Sequence, residues 1–102
     1  MVEKYIKDGK VAILHTNNWG TGWCNLWDDQ PKDKIWDKEL VEALLSKNQE
    51  AFNQRCHSLS ILSRVLDDLT ITWVPIGREF FVIEYDGVES IYICGEPGAL
   101  IA

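Results

Sequence analysis

Residues 69–94 read LTITWVPIGREFFVIEYDGVESIYIC, and their reading decides the fold. Three runs rich in β-branched and aromatic residues are separated by two turn signals. Leu69–Val74 is the first, stopped by Pro75; Ile76-Gly77-Arg78 is a turn. Residues 79–85 and 88–94 follow, joined by Asp86-Gly87. Asp-Gly between apolar runs favours a two-residue type I′ hairpin, which needs positive φ at both central residues. Such a turn sets Tyr85 opposite Val88, Glu84 opposite Glu89, Ile83 opposite Ser90, Val82 opposite Ile91 and Phe81 opposite Tyr92. One face then carries Phe80, Val82, Ile91 and Ile93, with Glu84 and Glu89 at its turn end. The other carries Phe81, Ile83, Tyr85, Val88 and Tyr92. Two apolar faces place the hairpin inside a sheet or in a subunit contact.

Upstream, residues 11–15 (VAILH) follow Asp8-Gly9-Lys10 and are too short for a helix, so they read as a buried strand. Residues 16–22 (TNNWGTG) form a loop, and Pro31 keeps residues 23–36 irregular or extended. Asp37 is an N-cap for a helix over residues 38–47, with Leu40, Val41, Leu44 and Leu45 on one face. Asn48 caps a second helix whose apolar side holds Ala51, Phe52 and Cys56. Ile61, Leu62, Val65 and Leu66 recur at helical spacing and favour a helix through residues 58–66. The expected fold is therefore one α+β domain over residues 1–102, mainly antiparallel sheet with a C-terminal hairpin and two helices packed on one face.

Composition narrows the function classes. Ten Lys and Arg against sixteen Asp and Glu give a net charge of −6 over 102 residues. A duplex nucleic-acid binder needs a basic surface to displace counterions, so that class is disfavoured. The apolar content of 46% and five Trp argue against disorder. Cys24, Cys56 and Cys94 have no disulfide or zinc spacing, which points to a reducing cytoplasm and away from zinc, and no cofactor is expected. The N-terminus lacks the apolar core of a signal peptide, and no run approaches the roughly 20 apolar residues of a membrane span.

Two constellations are candidate sites, and neither is a complete catalytic motif. Asn17, Asn18, Trp19, Gly20, Thr21, Gly22 and Trp23 follow a strand, as phosphate-cradling loops do. No GxGxxG, no GxxxxGK[ST] and no Lys is present in them. The Trp rings either pack the domain or an interface, or form a stacking surface with Asn17, Asn18 and Thr21 as hydrogen-bonding groups. At the hairpin tip, Glu84, Tyr85, Asp86, Glu89 and Ser90 form the second. The carboxylates are either solvated, since like charges opposite one another are tolerable only in water, or they line an acidic pocket for a cation, an amine or a guanidinium. His15 upstream of Cys24 could be drawn as base and thiol, though a free Cys is more often a small buried hydrophobe. His57 reads as a surface or boundary residue.

The segments VAILHTNNWGTGWCNLW (residues 11–27), WDKELVE (36–42) and WVPIGREFFVIEYDGVESI (73–91) resemble a family of small bacteriophage and bacterial proteins of uncharacterised activity. That family has a loop of the form G-x-G-W-S-T-W and closes on W-V-P-x-G-x-x-F-x-I-x-E-Y-D-G-x-E-S-I. Trp73, Val74, Pro75, Gly77, Phe80, Ile83, Glu84, Tyr85, Asp86, Gly87, Glu89, Ser90 and Ile91 match the closing motif. Cys24 stands where Ser is expected and Asn25 where Thr is expected, so neither a serine nor a cysteine nucleophile is implied. The resemblance implies an accessory or counter-defence protein acting in the host cytoplasm, binding a host protein or sequestering a small ligand. Together these readings lead to a small non-enzymatic binding protein. A metal- or carboxylate-dependent hydrolase or transferase using Glu84, Asp86 and Glu89, or a structural homo-oligomer subunit, are the alternatives.

Overall fold

A computed structural model describes residues 3–16, 32–61, 63–85, 88–93, 95 and 99–102, with the main chain only at 32, 33, 84, 85 and 88. Two helices and two three-stranded antiparallel sheets make an α+β fold. The strands are β1 (Ile6–Lys7), β2 (Lys10–Thr16), β3 (Leu69–Pro75), β4 (Glu79–Tyr85), β5 (Val88–Ile93) and β6 (Leu100–Ile101). One sheet has the order β1-β2-β3 and the other β5-β4-β6.

β2 is the spine of the first sheet, and every residue from Val11 to Thr16 is buried. A strand covered on both faces has no alternation to show, which is why VAILH is a continuous apolar run. β1 reverses into β2 through Asp8 and Gly9, whose φ angles of 54° and 77° are the two positive values a type I′ turn requires. β3 runs the length of β2, from Lys10 opposite Pro75 to Thr16 opposite Leu69. Gly77, with φ 85°, then turns the chain out of the first sheet into the second. This turn is tied on both sides, since Ile76 N–H donates to Gly9 and Gly77 N–H to Ala102.

The β4–β5 hairpin has the register expected from Asp86-Gly87, with Tyr85 opposite Val88 and Glu84 opposite Glu89. The turn residues themselves lie outside the described residues. β4 lies inside its sheet while β5 is last in the order, so the hairpin is not wholly interior. Phe80 is fully buried against the core and meets Trp36 edge to face at 6.2 Å. On the opposite face Ile83 and Tyr92 are about half exposed, at 49% and 58%.

The helices are α1 (Lys38–Leu45) and α2 (Gln49–Ser58). Asp37 caps α1 by accepting from the Leu40 N–H, and Asn48 caps α2 by accepting from the Ala51 N–H. Leu40, Val41, Ala43, Phe52 and Cys56 face the core. Asp37 is 1% exposed and is also held by a two-pronged bond from Arg55, with Nε and one terminal nitrogen each at 2.9 Å. One carboxylate thus caps the first helix and locks the second against it.

The expected helix through residues 58–66 is not formed. The chain leaves α2 by a paired-bond stop in which Ser60 N–H donates to His57 and Ile61 N–H to Cys56. Ser60 adopts φ 59° to make it. The Gln49 side chain then holds the following segment, donating to the Arg64 carbonyl and accepting from the Leu66 N–H. Leu66–Asp68 is a single 3-10 turn before β3. The apolar spacing of Ile61, Val65 and Leu66 therefore reflects an irregular chain crossing the core margin. α1 ends the same way at Lys47, with φ 56°.

A left-handed conformation costs an L-residue roughly 1–2 kcal/mol that glycine does not incur, part of it returned as unfolded-chain entropy. Ser60→Gly should therefore raise the unfolding free energy by about 0.5–1 kcal/mol in urea denaturation. A loss of stability would show that Ser60 does not terminate α2 in this way.

Candidate functional site

β2 ends where β5 begins, and Glu89 joins them. Its position follows from the hairpin register, which puts it in phase with Ile91 on the inward face. The side chain is 1% exposed, and Oε1 accepts the Thr16 N–H at 2.9 Å. Its main-chain carbonyl accepts from Nδ1 of His15, also at 2.9 Å. Two successive residues of β2 thus grip one residue of β5, by side chain and by main chain.

The His15 ring is 7% exposed, and its hydrogen bonds fix its tautomer. Nδ1 faces two carbonyl oxygens, of Glu89 and, at 3.1 Å, of Thr16, so it carries the proton and donates. Nε2 lies 2.7 Å from the Thr72 hydroxyl, and in the neutral ring it accepts from that O–H. A hydroxyl so close to an imidazole meets the first distance test for a nucleophile and its base. Thr72 sits in mid-strand opposite Ile13, however, and the bond does first what a buried imidazole requires, the satisfaction of both ring nitrogens.

A solvated Glu89 is thereby corrected. The carboxylate is buried because an amide donor waits for it at the end of β2, and burial without such a donor would be costly. Glu84 stands opposite it in the ladder, but its side chain, like that of Tyr85, is not among the described atoms. Ser90 is exposed on the other face of β5. Asp86 and the whole of Asn17, Asn18, Trp19, Gly20, Thr21, Gly22 and Trp23 lie outside the described residues, as do Cys24 and Cys94. What the structure supplies for that segment is its root: Thr16, the residue preceding Asn17, is fully buried and held by Glu89.

His15 enters the site through Glu89 and Thr72, and its suggested pairing with Cys24 falls on a residue outside the described ones. Thr16 and Thr72 had no local signal, since their roles depend on contacts 73 and 57 residues away in sequence. His57 is exposed, as a surface residue should be. Among the described residues no three His, Cys, Asp or Glu side chains gather as metal ligands. A groove of about 540 Å³ between the helices is lined by Glu39, Glu42, Ser46, Gln54 and Arg55, apart from this cluster. Among the described residues no helix is long and apolar enough to cross a membrane.

Cys56 is not a nucleophile. It is 1% exposed, and burial pushes its thiol up to about 12, with the Asp37 charge adding to the shift.

No family model, curated protein or solved structure matches the chain.

Glu89→Ala leaves the buried Thr16 amide without its acceptor and should cost about 1–3 kcal/mol of unfolding free energy, with Glu89→Gln costing less because one oxygen remains. Equal stability of all three proteins in urea would contradict the bond. The Cys56 thiol ionises near 9.0 in a model peptide and only at about 12 in the fold, so its contribution is complete below pH 9 and declines as pH rises toward 12. Wild type should lose stability relative to Cys56→Ala above pH 9, approaching about 1.4 kcal/mol per pH unit. Parallel pH profiles would show that the thiol is accessible to solvent.

Proposed function

We propose that the protein is a small non-enzymatic binding module whose recognition segment is residues 17–23, presented from the end of β2. The observation that carries this reading is the 2.9 Å bond from the Thr16 N–H to the buried Glu89 carboxylate. It fixes the residue from which the Trp- and Gly-containing segment departs. Fixing the root of a binding segment lowers the ordering cost of association. Trp19 and Trp23 are the anchors, because large aromatic side chains contribute most of the energy at small contacts. Asn17, Asn18 and Thr21 provide hydrogen bonds, and Glu84, Asp86 and Ser90 of the hairpin are proposed to contribute alongside them, since Glu89 of the same hairpin meets Thr16. A net charge of −6 favours a basic surface on a host protein, or a ligand whose positive or neutral groups face the tip. The resemblance read in residues 11–27, 36–42 and 73–91 to small bacteriophage and bacterial proteins implies an accessory or counter-defence role in a host cytoplasm.

Native mass spectrometry of the protein purified from host or infected-cell lysate tests this. Wild type should retain a discrete additional mass, and Trp19→Ala/Trp23→Ala should lose it while keeping the wild-type circular dichroism and melting temperature. Retention of the same mass by the double variant, or no added mass on the wild type, contradicts the proposal.

A further inference from the structure

The opposite end of the first sheet carries a feature that the fold does not need. Lys7 and Lys10 flank the Asp8-Gly9 turn and are direct cross-strand partners. Like charges so placed destabilise a hairpin. Both side chains are exposed, and among the described residues neither enters an ion pair. Such a concentration of positive charge is unexpected in a chain of net charge −6.

The strand register sets an aromatic wall beside the two ammonium groups. Lys10 opposes Pro75, and Ala12 opposes Trp73, so Lys7, Lys10 and Trp73 share one face of the sheet by the two-residue alternation of strands. Tyr5, two residues before Lys7, lies on that face and braces the Trp73 indole at 6.1 Å with a 56° tilt. Trp73 is half-buried, and with Lys7, Asp8 and Lys10 it lines a cavity of about 380 Å³. That volume falls within the roughly 300–1,000 Å³ of small-molecule sites.

From this geometry we infer that the β1–β2 turn is a binding site for a mononucleotide, an aromatic ring bearing a phosphate. The two lysines bracket the phosphate, which removes their mutual repulsion and adds charge-assisted hydrogen bonds. The indole of Trp73 takes the base by stacking, which accepts any base because every base has a π-face. Asp8 offers a carboxylate to the sugar hydroxyls, as acidic residues do in dinucleotide sites. The site lies beyond the first residue of β2, whereas the Glu89 cluster lies at its last, so it does not depend on the function proposed above.

Titration calorimetry with adenosine 5′-monophosphate, adenosine and inorganic phosphate at low ionic strength tests the inference, together with the assigned indole N–H signal of Trp73. The monophosphate should bind at least about tenfold more tightly than either fragment, because each fragment engages half of the site. Its addition should shift the Trp73 signal. Lys10→Glu places an opposite charge across from Lys7, so the melting temperature should stay level or rise while affinity falls about tenfold or more. No binding of the monophosphate at several millimolar, an unmoved Trp73 signal, or unchanged affinity in Lys10→Glu would each overturn the site.

Discussion

A carboxylate buried at the junction of two sheets is the constraint on which the rest depends. Glu89 is 1% exposed and takes the last ladder amide of β2 at 2.9 Å, while its own carbonyl takes the imidazole of His15. A charged or polar group in that position is stable only when donors are already aimed at it. The arrangement therefore demands a particular hairpin phase. A slip of one residue would turn Glu89 to solvent and drive Ser90 inward, leaving the Thr16 amide without this acceptor. The bond that orders the end of β2 and the register of β4 against β5 are one requirement stated twice.

The remaining elements hold that junction in place. β2 is buried along its length after Lys10, so its end cannot shift without disturbing the core. Asp37 draws the helices together by capping α1 and pairing with Arg55. The pair also raises the Arg55 guanidinium above its ordinary range, chiefly through that hydrogen bond. The turn after β3 is bonded to both the β1–β2 turn and the C-terminal residue. These contacts brace the two sheets at the end opposite to Glu89, so the molecule is clamped at both ends of β2.

Much of this was legible locally. Asp86-Gly87 gives the register of β4 and β5 because a two-residue turn leaves no freedom, and Asp37 and Asn48 mark the helix starts because their side chains accept nearby amides. The stop after Ser58 was not legible, since Ser60 takes a left-handed conformation that sequence patterns assign to Gly or Asn. β1 and β6 have two residues each and exist only because a longer strand pairs with them. The phase of Glu89 was readable from Val82 and Ile91, but its burial was not. Local rules treat a carboxylate as solvated, and the donor that reverses the rule arrives from 73 residues away. His15 followed the same logic, since Thr72 and Glu89, the partners of its ring nitrogens, are distant in sequence.

Amide hydrogen exchange at Thr16, followed by NMR in wild type and Glu89→Ala, tests the junction most directly. The account predicts a slowly exchanging Thr16 N–H in wild type that becomes fast in the variant while the Val11 to Leu14 amides stay protected. Fast exchange at Thr16 in wild type, or equal protection without the carboxylate, would contradict it.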